Sequence, residues 1–228
     1  MTRKAAGTLL LVHTVLTLLL QLSALAIPAL QAWLGSPTLS GLVTRAVLMQ
    51  GALIFLPSLV IIGLYKLPAE AIIGGASTPS SLILAAVVGV PAGVVFQGLN
   101  NLMLYLIFQL GWTVPAAATS TDRWSADLWQ QTLPVMLVLI TVRVLTPALI
   151  EELMFRGVIQ GSLKSPGNLP GTVIIFWQAL AFALFHNNPL FLLPPLLAGL
   201  LLGLLRQNGN SLLPSIIGHL SLNLTLLL

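Results

Sequence analysis

Long uncharged stretches constrain the fold of this chain more than any other feature of its sequence. Only 6% of the 228 residues are charged and 57% are hydrophobic, and apolar runs long enough to cross a bilayer recur along the chain. Such runs of roughly 20 residues span the hydrocarbon layer as helices. The composition excludes a soluble globular domain and predicts an all-α, polytopic transmembrane helix bundle with about seven spanning helices.

The spacing of the apolar runs predicts one membrane domain, residues 1–228, in two parts. N-terminal helices occupy residues 1–112, and a C-terminal core occupies residues 130–228. The polar residues 113–130 between these parts contain both aspartates of the chain and are expected to form an aqueous or interfacial loop. A cleaved signal peptide is the competing interpretation of residues 5–30, but this apolar run exceeds the usual length of such peptides.

The distribution of charge indicates which partners the chain has. The net charge is +4, but the nine lysines and arginines are spread singly and form no basic patch, so we expect no nucleic acid partner. Membrane lipids are the expected surroundings. The chain has no cysteine, which excludes disulfides, thiolate catalysis and cysteine-ligated metal. We expect a multi-pass integral protein of the plasma (inner) membrane of a prokaryote.

Two glutamates and an arginine lie within an otherwise largely apolar predicted helix of the C-terminal core. Glu152 and Arg156 are four residues apart, which is the favourable spacing and order for an ion pair on one helix face. Glu151 lies about 100° away around the helix, where it is available to face another group as a proton acceptor and donor. Charges inside a bilayer are costly and indicate function by default. The alternative is a buried network that only fixes how the helices pack.

Two later helices supply polar side chains that are able to face these charges. His186 follows Phe182 by four residues, and His219 precedes Asn223 by four, so each pair lies on one helix face. Counting 1.5 Å per residue places Glu151 and His219 roughly 16 and 12 Å from the same membrane face, so they can meet. The same count places His186 deeper, at roughly 22 Å. His13, near the N-terminus, is expected to form an interhelical hydrogen bond.

This set of groups fits hydrolysis of a peptide or ester without a covalent intermediate. Glu151 with His186 would deprotonate a water, and His219 with Asn223 would donate hydrogen bonds to the oxyanion. We expect no cofactor and no metal ion, although zinc accepts ligands such as Glu151, His186 and His219. Ser215, four residues before His219, is the alternative nucleophile, but neighbours at this spacing usually point outward side by side.

Three motifs in this order resemble those of the CPBP family of intramembrane glutamate-dependent proteases, which includes the type II CAAX prenyl endopeptidases. They are Glu151-Glu152-x-x-x-Arg156, Phe182-x-x-x-His186 and His219-x-x-x-Asn223, and they fall within residues 130–228. The resemblance implies a helical membrane fold. It also implies that Glu151 and His186 handle the water and that His219 and Asn223 form the oxyanion site, with Glu152 and Arg156 in support.

The sequence therefore predicts an intramembrane endopeptidase that cleaves a membrane-associated or lipidated peptide or protein with glutamate-activated water. One rival hypothesis is a non-catalytic membrane immunity or scaffold protein that uses the same polar cluster for peptide binding or packing. A proton-coupled transporter is the second rival, since buried carboxylates and histidines also occur in transporters. Against a transporter, the polar groups gather in the last four helices and no half-repeat is visible.

Overall fold

A computed structural model describes residues 3–34, 38–111, 130–164, 169–186 and 191–227, and these residues form helices and no β-strand. The helices are α1 (Arg3–Ala26), α2 (Pro28–Leu34), α3 (Leu39–Leu64), α4 (Ala69–Ile73), α5 (Pro79–Gln109), α6 (Leu133–Lys164), α7 (Gly171–Phe185), α8 (Leu193–Asn208) and α9 (Leu212–Leu227). The loop predicted at residues 113–130 lies outside the described residues, except for its last position.

The all-α polytopic fold is confirmed. Four helices, α1, α3, α5 and α6, are long and apolar enough to cross a membrane. The other three predicted helices are also present, but α7 has 15 residues and α8 and α9 have 16 each. At 1.5 Å per residue these three are about 22 to 24 Å long, shorter than the roughly 30 Å hydrocarbon layer.

Helices α3 and α6 widen into π-helical turns at three places along their length. The wide segments are Val47–Phe55 in α3 and Thr141–Leu145 and Leu153–Ile159 in α6. A π-helical turn holds more residues than an α-helical turn, so it shifts the direction of the side chains that follow it. Such turns are frequently found at functional sites. Each of these segments contains a polar side chain, Gln50, Arg143 and Arg156 respectively.

Glycines let the backbones of α5 and α9 approach closely. A Cβ atom added to Gly89 would lie 2.5 Å from the carbonyl oxygen of Gly218 in α9. One added to Gly93, a turn further along α5, would lie 2.9 Å from the carbonyl oxygen of Leu222. Small residues at this spacing are typical of helix contacts in membranes, where packing rather than water exclusion drives association. This contact holds α9, and with it His219, at a fixed position in the bundle.

Helices α7 and α8 are joined by a second contact of this kind. A Cβ atom at Gly199 of α8 would lie 2.8 Å from the Cα atom of Ala179 in α7. The side chain of Gln178 donates a hydrogen bond to the carbonyl oxygen of Gly199 at 2.7 Å. Gln160 of α6 donates in the same way to the carbonyl oxygen of Gly203, at 3.2 Å. The glycine face of α8 therefore accepts side-chain donors from both α6 and α7.

We expect Gly89→Ala to lower the free energy of unfolding by about 1–3 kcal/mol relative to Gly98→Ala, because the added methyl meets a backbone carbonyl that cannot turn away. Gly98 is the matched control, since it lies on the same helix with nothing within 4 Å of its added Cβ. The helix propensity gained by alanine is the same in both variants. Thermal unfolding in detergent measures the difference, and equal midpoints for the two variants would contradict the packing assigned to Gly89.

Candidate active site

A buried ion pair lies at the centre of the polar cluster. Nη1 of Arg156 is 2.6 Å from Oε1 of Glu152, and both side chains are fully buried. The predicted pairing at i and i+4 is thus present. Nη2 of Arg156 also donates to the carbonyl oxygen of Gly199 at 3.2 Å, and the guanidinium carbon lies 4.6 Å from the centre of the Phe182 ring. The ion pair therefore ties α6 to α7 and α8.

His219 connects α9 to both glutamates. Its Nδ1 atom lies 2.9 Å from Oε1 of Glu152, which is the same oxygen that Arg156 contacts. Its Nε2 atom lies 4.0 Å from Oε2 of Glu151. Since the Glu152 carboxylate is held ionised by the arginine, it can only accept, so Nδ1 carries the hydrogen. The predicted meeting of His219 and Glu151 occurs, but the direct hydrogen bond goes to Glu152.

The two adjacent glutamates occupy different surroundings. Glu152 has no exposed surface, whereas 9% of Glu151 remains exposed. Glu151 lines a cavity of about 190 Å³, together with His186, Gln50 and His13. A cavity of this volume has room for several water molecules, each of which takes up about 30 Å³ in the liquid. Only Glu151 of the pair is therefore placed to contact a water or a substrate there.

His186 lines the same cavity as Glu151, although it lies at the C-terminal end of α7. Its Nδ1 atom donates to the carbonyl oxygen of Phe182 at 2.8 Å, which leaves Nε2 as an acceptor. The Phe182 ring lies edge-on to both imidazoles, with centroids 4.8 Å from His186 and 6.0 Å from His219. One phenyl ring thus contacts both histidines and the Arg156 guanidinium. The greater depth estimated for His186 does not prevent it from sharing a cavity with Glu151.

Of the predicted site residues, Glu151 and His186 line this cavity, whereas Glu152, Arg156, His219 and Asn223 do not. Asn223 is the one that lines a different cavity. It lines a neighbouring cavity of about 420 Å³ between α3, α6 and the last turns of α9. The two cavities share Met49 and Gln50 as lining residues. Asn223 and His186 therefore line two different cavities that adjoin at Met49 and Gln50.

The N-terminal helices contribute two polar residues that the sequence did not assign to the site. Nε2 of Gln50 donates to Oε1 of Glu151 at 2.8 Å, so this amide fixes one oxygen of the carboxylate. His13 donates from Nδ1 to the carbonyl oxygen of Leu53 at 2.9 Å, which agrees with its predicted role between helices, and its ring stacks on Phe185. The only sequence signal for Gln50 was its position as a polar residue inside an apolar helix. That position does not indicate which residue it contacts.

The other proposed chemistries find less support in the arrangement of side chains. Within the described residues, no three histidine, aspartate or glutamate side chains are grouped so that they could hold a metal ion. Ser215 is fully buried, and its hydroxyl donates to the carbonyl oxygen of Leu212 at 2.8 Å. The serine is thus engaged by its own helix.

Comparison with known proteins identifies the C-terminal part of the chain. Residues 133–225 match the model of the family described as type II CAAX prenyl endopeptidase Rce1-like. Neither the search of curated proteins nor the search of solved structures gave a match. The matched residues begin at the first residue of α6 and end in α9, so they include the ion pair, both histidines and Asn223. The resemblance predicted from the three motifs is thereby confirmed, since residues 133–225 of this integral membrane protein match the Rce1-like family model.

Proposed function

We propose that the chain is an intramembrane endopeptidase that uses Glu151 to activate a water molecule for attack on a peptide bond. The observation that carries the proposal is the shared cavity of Glu151 and His186, flanked by His219. The protease family of residues 133–225 supports the same reaction class. The proposed substrate is a membrane-associated or lipidated peptide or protein, since a cavity enclosed by membrane helices is reached most easily from the bilayer.

The first step needs a base beside a bound water. Glu151 is held by Gln50 at Oε1, which leaves Oε2 for the water. The acceptor Nε2 of His186 orients the same water from the other side of the cavity. The water oxygen attacks the carbonyl carbon of the scissile bond while its proton passes to Glu151. The product is a tetrahedral intermediate whose former carbonyl oxygen carries the negative charge.

The second step needs donors for that oxyanion and a proton for the leaving amine. With Nδ1–H directed to Glu152, the His219 ring donates from Nε2 in its doubly protonated form, and this is the form proposed to face the oxyanion. The Asn223 amide is the second proposed donor. Glu151 then returns its proton to the amine nitrogen as the C–N bond breaks. The new carboxylate and the new amine are the two products.

Glu152 and Arg156 act in this proposal without touching the substrate. Their charges offset one another inside the protein, and the Glu152 carboxylate fixes the orientation of the His219 ring. They are therefore positioning residues. The non-catalytic immunity or scaffold role has no observation that favours it over this one.

We expect Glu151→Gln to lower the rate of cleavage of a lipidated reporter peptide by about 10²–10⁴-fold, because the amide cannot accept the proton of the water. The measurement is product formation in detergent, followed by mass spectrometry. Glu70→Gln is the matched control, since Glu70 is an exposed glutamate on α4. Cleavage at the wild-type rate by a folded Glu151→Gln variant would rule out the proposed base.

The two glutamates are expected to differ in their effect on stability. Glu152→Gln leaves the Arg156 charge buried without its partner and is expected to cost about 3–5 kcal/mol of unfolding free energy. Glu151→Gln is expected to leave stability close to that of the wild type, because this residue borders a cavity. Thermal unfolding of both variants in detergent tests the contrast, and an equal loss of stability in both would favour a purely structural network.

Gln50→Leu is expected to reduce kcat by about tenfold or more with KM nearly unchanged, because a hydrogen bond to a charged group is worth about 1.5–3 kcal/mol. The loss would arise from a Glu151 carboxylate that is no longer held in one orientation. Gln97→Leu, on α5, provides the matched control. A rise in KM with unchanged kcat would show instead that Gln50 contributes to substrate binding alone.

A further inference from the structure

Among the described residues of α1, His13 alone lines the cavity of Glu151. Its side chain is buried, and its ring stacks on the ring of Phe185 with the two centroids 3.3 Å apart. Phe185 immediately precedes His186, so the stack joins α1 to the end of α7 that carries a proposed catalytic histidine. Helices α1 and α3 both lie before the residues that match the protease family. A role of His13 in the site is therefore not implied by that match.

The carbonyl group that His13 contacts lacks its ordinary helical donor. Nδ1 of His13 lies 2.9 Å from the carbonyl oxygen of Leu53, which belongs to the wide segment of α3. In a regular α-helix this oxygen would accept from the N–H group four residues later. That residue is Pro57, which has no N–H group. A buried carbonyl without a partner is costly inside a bilayer, and His13 supplies from α1 the donor that Pro57 cannot.

Thr17 fixes the orientation of the His13 ring. Its hydroxyl oxygen lies 3.0 Å from Nε2 of His13, and both side chains are buried, one helical turn apart on α1. Because the carbonyl oxygen of Leu53 can only accept, Nδ1 carries the hydrogen, and Nε2 of the neutral ring accepts from the hydroxyl. A directed chain of hydrogen bonds therefore runs from Thr17 through His13 to the backbone of α3.

The same segment of α3 carries the side chain that holds the proposed base. Gln50 precedes Leu53 by three residues within Val47–Phe55, and its Nε2 atom donates to Oε1 of Glu151 at 2.8 Å. The direction of a side chain in such a segment depends on where the backbone widens. A donor that holds the Leu53 carbonyl in place therefore also affects where Gln50 points.

We propose that His13 is a positioning residue of the active site, which holds the wide segment of α3 so that Gln50 reaches Glu151. This inference rests on the proposed endopeptidase function and extends the site to α1. Both ring nitrogens of His13 are engaged by groups of the protein, so the ring itself transfers no proton. Its effect on the reaction passes through Gln50.

The competing role for His13 is only to pack α1 against the bundle. A second hydrogen bond between α1 and α3 provides the comparison, since Oγ1 of Thr8 lies 2.7 Å from the hydroxyl oxygen of Tyr65. Neither of these two residues lines the cavity of Glu151. Thr8→Val therefore removes a contact between the same two helices without touching the segment that carries Gln50.

The test is a double-mutant cycle of His13→Phe and Gln50→Leu, measured as cleavage of a lipidated reporter peptide in detergent. Phenylalanine keeps a ring for the stack on Phe185 and removes both nitrogens. We expect His13→Phe to lower kcat about three- to tenfold with KM nearly unchanged, which corresponds to the loss of one hydrogen bond. In the Gln50→Leu background the same substitution should change kcat by less than about twofold, because the contact through which it acts is already lost.

Two further variants separate positioning from packing. His13→Asn should recover most of kcat, because its amide nitrogen is bonded to Cγ, as Nδ1 is, and can donate. Thr8→Val should leave kcat within about twofold of the wild type, even with a lower unfolding temperature, because it lies away from the site. An unchanged kcat in His13→Phe, an equal loss in the Gln50→Leu background, or an equal loss in Thr8→Val would overturn the inference while the endopeptidase stands.

Thermal unfolding of the same variants distinguishes failure of this inference from failure of the proposed function. If the wild type cleaves no peptide, the proposed function fails, and the cycle is then measured by unfolding in detergent. A loss of stability on His13→Phe that shrinks in the Gln50→Leu background supports the inference, and additive losses overturn it. Thr17→Val, which frees the ring without removing it, replaces His13→Phe in both cycles if that variant does not fold.

Discussion

The ion pair of Glu152 and Arg156 holds the site together because two full charges are removed from water inside a bundle of membrane helices. A buried charge is tolerated only when a partner and further hydrogen bonds satisfy it. The carbonyl oxygen of Gly199 and the ring of Phe182 complete the surroundings of the guanidinium, and His219 completes those of the carboxylate. The pair thereby requires α6, α7, α8 and α9 to meet at one place, close to the groups proposed to react.

Close backbone contacts make that meeting sterically allowed. Arg156 reaches a carbonyl oxygen of α8 at a glycine, and α9 rests against α5 through Gly89 and Gly218. These contacts are van der Waals and hydrogen-bonding contacts, which suit a bilayer where apolar surface gains little from burial against another helix. The glycines therefore bring the helices close together, and the charged side chains determine which helix faces turn inward.

Prediction from the sequence was most accurate for features that depend on the residue spacing within a single helix. The pairing of Glu152 with Arg156 follows from residues four apart, and the four long helices and the three shorter ones follow from apolar runs, because both features depend on local spacing. It was weakest for contacts between distant helices. Gln50 lies 101 residues before its partner Glu151, and nothing in the spacing of either indicates the other. The position of Asn223 in a different cavity from Glu151 depends on how α3, α6 and α9 pack together, which is again a tertiary property.

The three π-helical turns have a consequence for how this site tolerates change in length. A wide turn accommodates one residue more than the same length of α-helix, so the residues after Leu153–Ile159 point nearly as they would after an α-helix one residue shorter. Removal of one residue within this segment would restore ordinary α-helix and change the directions of the side chains inside it, including Arg156. Removal of one residue from regular α-helix, by contrast, would rotate everything that follows by about 100°. Relatives that keep this chemistry should therefore keep the length of α6 between Arg143 and Gln160 unchanged.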